Sequence, residues 1–296
     1  MAVTQRPAAV RPVSVTATAR RARVRRRLAV ALTYAACVLC ALVLGFPFYW
    51  MLTGAFKAPQ ELTSVPPTIF PLHWTIVNVQ QAWSAFDFAR YFWNSAWLAL
   101  VRSSIPAFMA ALCGYVLAKI AFRGRGVIFV GLLVTMMLPG AITLIPSYLL
   151  MFRLHWIGTY WPLIVPSMFS AYGTFLMRQL MMGLPNETLD AGRIDGASEW
   201  NLFLHIALPS MWPGVAAVFI LSFIGAWDDF LWPLMVLNDP SMFTLPVGLA
   251  FFTLQHYTLL GPLMAATVLT TLPMIAVFYV GQRRIVDSGL FAGLHL

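Results

Sequence analysis

Of the ten Asp and Glu residues in the chain, Glu187, Asp190, Asp195 and Glu199 fall within residues 185–209, with Arg193 among them. Facing carboxylates could run acid–base chemistry, and several converging on a point could hold a metal. No Ser/His/Asp set, paired acids or metal-ligand cluster stands in a plausible register, so no catalytic residue and no metal is assigned. What this island can do is present a polar face for another protein to grip. Cys37-x-x-Cys40 has the spacing of a redox motif, but apolar residues surround it. It reads as small residues on a membrane helix, as does Cys113.

The elements that carry the island are greasy. The chain has 296 residues, 60% hydrophobic and 10% charged, with mean hydropathy +0.78. Soluble domains average about 25% charge, so a polytopic all-α membrane protein is the expected class. Residues 28–52 form an apolar run of 25 residues, too long for a signal-peptide core. Further spans are expected at about 92–118, 127–150, 157–177, 206–227 and 259–281, six in all.

Eight of the 19 Lys and Arg residues lie in the first 27, a stretch expected to be a disordered basic cytoplasmic tail that also touches anionic lipid. The sequence pI of about 9.9 therefore reflects topology and not nucleic-acid binding. With the N-terminus inside, inner segments hold fifteen basic residues and outer segments three (Lys57, Arg90 and Arg153). That asymmetry puts both termini and the acidic island in the cytoplasm, with outer loops at 53–91 and 228–258.

Within the island, Glu187 to Ile194 fits a short helix, Asp195-Gly196 a turn, and Ser198 an N-cap with Glu199 near the positive end of the next helix. The second helix runs through Trp200, Leu202, Phe203 and Ile206 towards Pro209, with His205 packed or interfacial. The elbow is expected to expose Glu187, Asp190, Ala191 and Arg193 and to tuck Leu189 and Ile194 underneath.

Asp190-Ala191-Gly192-Arg193-Ile194-Asp195-Gly196-Ala197, followed by Ile206-Ala207-Leu208-Pro209, resembles the EAA loop of bacterial ABC importer permeases. Asp-Ala-Gly stands where the pattern has Glu-Ala-Ala, shortening the acid and lowering helix propensity by about 1 kcal/mol at Gly192. Trp227-Asp228-Asp229-Phe230-Leu231-Trp232-Pro233-Leu234 is similar to a stretch in permeases of carbohydrate importers. So is Ala55-Phe56-Lys57-Ala58-Pro59-Gln60-Glu61-Leu62, and Pro66-Pro67-Thr68 and Asn94-Ser95 also fit. The resemblance covers about residues 28–290.

It implies a type I ABC importer permease fold, with the transmembrane domain at about 90–282 and a coupling loop at 185–209. It further implies a non-enzymatic subunit in the inner membrane that moves a sugar or sugar derivative. The implied partners are a second homologous permease, two cytoplasmic ATPases and an extracytoplasmic sugar-binding protein. No cofactor is expected in this chain, because ATP and Mg would be bound by the ATPase and no Walker A pattern occurs here. Glu187, Asp190, Ala191, Gly192, Arg193, Asp195, Gly196 and Ala197 would form the ATPase contact.

Trp227, Asp228, Asp229 and Trp232 could line the substrate pathway, or the tryptophans could be interfacial belt residues. Arg102 lies 17 residues before Lys119, about 25 Å along a helix, near the outer edge. Either it snorkels to the headgroups, or it pairs across helices or lines the pathway. Pro139 and Pro146 are expected to kink the third span. A permease for peptides or another solute, an intramembrane enzyme and a secondary transporter are the competing classes. The last two lack their mid-membrane polar signatures, and the repeat halves usual in a secondary transporter are missing.

Overall fold

In the computed structural model residues 15–85, 87–255 and 259–287 are described, excluding the side chains of 15–24, 85, 254–255 and 283–287. Helices carry the described chain, and the one antiparallel bridge found there joins Lys57 and Trp74.

Two compact units meet at Thr53/Gly54. In the first, α1 (Val15–Ala55) runs for 41 residues, roughly 60 Å against about 30 Å of hydrocarbon. Residues 1–14 of the expected tail lie outside the described residues. From Val15 onward the tail is helical rather than disordered. Arg and Ala are good helix formers, and the following apolar helix supplies the nucleus. Along the membrane stretch Tyr34, Leu42 and Leu44 stay exposed, as suits side chains meeting lipid.

The second unit opens with the segment ahead of residue 88, which holds α2 (Pro59–Leu62) and α3 (Val77–Ala85). Its sequence motif is a set of clamps. Lys57 is 1% exposed and its ammonium donates to the Thr68 carbonyl. Asn78, fully buried, donates to the carbonyls of Lys57 at 2.7 Å and Ala55 at 3.2 Å. Glu61 accepts from the amides of Leu72 and His73, both at 2.9 Å.

The Leu72 amide is the main reason the Glu61 carboxyl sits below its ordinary value of 4.5. A depressed folded value means the clamp is whole above the ordinary value and is lost as pH falls through the lower one. Hydrogen exchange at Leu72 and His73 should therefore stay slow at neutral pH and quicken only below 4.5. Quickening that begins above 4.5 would show that Glu61 is not the clamp.

α4 (Phe88–Lys119) is the central helix. α5 (Arg125–Met137) and α6 (Gly140–Arg153) follow, bent by 100° where Leu138-Pro139 intervenes. Pro139 is therefore the break, while Pro146 lies inside α6. The expected span 157–177 is not one helix. It is built from α7 (Trp161–Ile164), a 3₁₀ turn at Pro166–Met168 and the start of α8 (Ala171–Met182). Pro162 and Pro166 lack the donors that a continuous helix needs.

Next come α9 (Asn186–Ile194), α10 (Glu199–Leu202), a π turn at Phe203–Ala207, α11 (Leu208–Ser210) and α12 (Trp212–Trp227). α13 (Leu231–Val236), α14 (Leu245–Gln255) and α15 (Leu260–Asp287) complete the chain. Among the described residues α1, α4 and α15 are long and apolar enough to cross a membrane, and up to five spans arise if two bent pairs are each counted once.

α4 packs chiefly against α8 and α12. Its half nearer Lys119 is lined by small residues (Ala107, Ala110, Ala111 and Gly114), which admit Met177, Met181 and Val218. Between membrane helices such close approach replaces the hydrophobic effect as the source of affinity. Near the Phe88 end Asn94 donates to the carbonyls of Ser241 and Phe243, both at 3.0 Å, and Ser95 accepts from the Leu245 amide at 2.7 Å. Asn94-Ser95 thus pins the segment between α13 and α14 to α4.

Candidate functional site

The elbow is local in origin. α9 ends because Gly196 takes φ +82°, a region open to glycine at no steric cost. The Ala197 amide then reaches the Gly192 carbonyl at 2.9 Å and the Gly196 amide the Arg193 carbonyl at 3.1 Å, closing the helix end with paired bonds. Ser198 caps the next helix by accepting from the Asn201 amide at 3.3 Å. Pro209 cannot donate to the preceding turn, and the π turn at 203–207 lies just before it.

Arg193 organises the acids. Its guanidinium donates to Glu199 at 2.7 Å and to Asp190 at 2.7 Å. Glu199, followed by Asp190, holds Arg193 protonated more firmly than usual. The other Glu199 oxygen accepts from the Tyr115 hydroxyl at 2.7 Å, and Tyr115 is a buried residue of α4. One turn on, Lys119 donates to the Leu184 carbonyl at 2.5 Å and to Asn186 at 2.7 Å. Arg178 donates to the Leu117 carbonyl at 3.2 Å and lies 3.9 Å over the Phe129 ring. Sequence reasoning missed Tyr115 and Lys119 as anchors. Their spacing of four on the helix that ends beside the elbow was the available signal.

Glu187, Asp190, Ala191, Asp195 and Gly196 are exposed, and Ala197 is half-buried. One expectation is corrected. Leu189 is buried, but Ile194 is 86% exposed and not tucked under. Five residues along an α-helix turn about 140° beyond a full circle, so Leu189 and Ile194 cannot share a face. At Gly192 a Cβ would lie 2.5 Å from Leu202 Cδ2, so a larger residue there would have to displace that side chain.

The candidate pathway residues separate. Trp227 is 2% exposed and donates to the Thr270 carbonyl at 3.1 Å, within the packed interior. Trp232 is half-buried and donates to the Pro162 carbonyl at 2.9 Å. Asp228 is exposed. Arg102 does not snorkel: it donates to Asp229 at 2.8 Å, with side chains 12% and 20% exposed. A polar cavity of about 260 Å³ opens beside this pair. A larger one, about 690 Å³, lies between α4, α12 and α15 and is lined by apolar groups such as Phe108, Val215 and Phe219.

The geometry is that of a bent-helix membrane bundle with a two-helix elbow anchored to its central helix. The family model described as "Binding-protein-dependent transport system inner membrane component" matches residues 110–288. The chain belongs to that family, as a multi-pass inner membrane component. It is similar to the arabinooligosaccharides transport system permease protein of Halalkalibacterium halodurans, 34% identical, covering 86% of this chain and 91% of that one. The diacetylchitobiose uptake system permease protein of Streptomyces coelicolor is 32% identical, covering 89% and 88%. The lactose transport system permease protein of Rhizobium radiobacter is 32% identical, covering 90% and 97%. Among solved structures, a bacterial ABC transporter involved in import of the acidic polysaccharide alginate shares the fold. The TM-score is 0.79 at 19% identity, covering 88% of this chain and 97% of that one.

Proposed function

We propose that the chain is a non-catalytic permease subunit that imports a sugar or sugar derivative, driven by ATP hydrolysed on a separate cytoplasmic subunit. The observation that carries this reading is the elbow. It is stiffened at Gly196 and Ser198, bolted to α4 through Glu199 and Tyr115, and crowned by an exposed Ile194. Such a lever has a polar flank and an apolar tip, which suits docking in a cleft of the ATPase. Closure of an ATPase pair would carry the elbow with it and tip the bundle from inward- to outward-facing.

A second homologous permease completes the pathway, and an extracytoplasmic binding protein delivers the solute. ATP and Mg are bound by the ATPase. Both termini face the cytoplasm, on the charge asymmetry of the loops. The carbohydrate assignment is supported by relatives named for arabinooligosaccharides, diacetylchitobiose and lactose. A relative named for sn-glycerol-3-phosphate keeps an anionic solute as the second reading.

A cysteine at position 194 tests the docking. In membranes holding the whole importer, Ile194→Cys should cross-link to the ATPase subunit, with a yield that changes when ATP is added. Intact transport with no cross-link to that subunit would place the docking surface elsewhere.

A further inference from the structure

We propose that the cavity beside Arg102 and Asp229 is a subsite for one neutral, polyhydroxylated unit of the transported solute; this rests on the reading of the chain as an importer permease. Arg102 and Pro106 of α4, Ser167 and Ser170 ahead of α8, and Ser222 and Gly225 of α12 line it. Its 260 Å³ falls just below the roughly 300 Å³ at which drug-sized pockets begin, so it takes a sugar ring and not an oligosaccharide.

The chemistry of the lining selects the solute. Arg102 carries a full charge, yet Asp229 at 2.8 Å cancels it, so the pair is dipolar and neutral overall. The Arg102 Nε–H is buried without an acceptor. Buried donors ordinarily find a partner, and a solute hydroxyl would supply one here. Ser170 Oγ accepts from the Gly173 amide at 3.0 Å, leaving its own O–H to donate. Ser167 donates to the Ile164 carbonyl at 2.8 Å, leaving its oxygen to accept. The cavity thus offers donors and acceptors together with no net charge, which matches hydroxyls that both give and take hydrogen bonds. A phosphate or uronate would meet a guanidinium whose charge Asp229 already offsets.

Two variants test this in cells carrying the complete importer, with labelled arabinotriose, lactose, diacetylchitobiose and sn-glycerol-3-phosphate as probes. Asp229→Asn leaves the guanidinium uncompensated. It should shift the ratio of neutral-sugar to sn-glycerol-3-phosphate uptake by about tenfold or more towards the anion. Gly225→Leu should cut neutral-sugar uptake by about tenfold with the membrane amount unchanged. A Cβ at Gly225 meets nothing within 4 Å, and leaving glycine favours the helix, so the added side chain obstructs the cavity without breaking the fold.

An unchanged ratio in Asp229→Asn, or undiminished uptake in Gly225→Leu, overturns the subsite. A parental importer that takes up none of the neutral sugars overturns the carbohydrate reading instead.

Discussion

Replacing Gly196 by Pro is expected to stop transport while leaving the chain in the membrane. The native φ is +82°, whereas a proline ring holds φ at about −65°, so the turn cannot form. Proline also lacks the amide that donates to the Arg193 carbonyl at 3.1 Å. α9 then loses its fixed angle to α10, and the lever loses its shape. Nothing lies within 4 Å of a Cβ at this position, so the effect is one of backbone and not of crowding. Gly196→Asn, which tolerates the left-handed region, should therefore keep most of the uptake. Uptake and membrane abundance measured together decide the matter. Parental transport by Gly196→Pro would remove the elbow from the coupling mechanism.

The second large effect lies where α4 meets α8. A Cβ on Gly114 would sit 2.7 Å from Met177 Cβ and 2.8 Å from the Arg178 backbone nitrogen. Backbone cannot step aside as a side-chain tip can. Gly114→Leu should reach or pass the upper end of the roughly 1–3 kcal/mol typical of overpacking, because the two central helices must separate. Gly131 on α5 has nothing within 4 Å of its Cβ position and serves as the control. The thermal midpoint of Gly114→Leu in detergent should fall well below those of the parent and of Gly131→Leu. An unchanged midpoint would mean that the α4–α8 contact is not what holds this half of the bundle together.

What could be read in the sequence is what is made locally. The Gly196 turn, the Ser198 cap and the Pro139 break each depend on a few neighbouring residues, and each stands where the pattern placed it. The span at 157–177 was misleading because hydropathy records composition and not continuity. Two prolines break a stretch that is apolar enough throughout. Ile194 was misplaced by treating every apolar residue of a short helix as inward-facing. Pairings distant in sequence were out of reach: Arg102 and Asp229 are 127 positions apart, Tyr115 and Glu199 84 apart. Each residue showed only that it wanted a partner. The Asn94-Ser95 pair was noticed as a motif, but its job of holding the segment between α13 and α14 emerges only when both carbonyl acceptors are in view.

The elbow is tied to α4 at two points, Tyr115 and Lys119. They are one turn apart, about 6 Å along the axis. A single tie would act as a ball joint, and a push on the elbow would be spent in swivelling. Two ties leave rotation only about the line that joins them, so thrust in other directions reaches the helix as torque. The same helix carries Arg102 about 25 Å beyond Lys119, with Pro106 between them. A small angular stroke at the elbow end would therefore be expected to reach the cavity as a displacement.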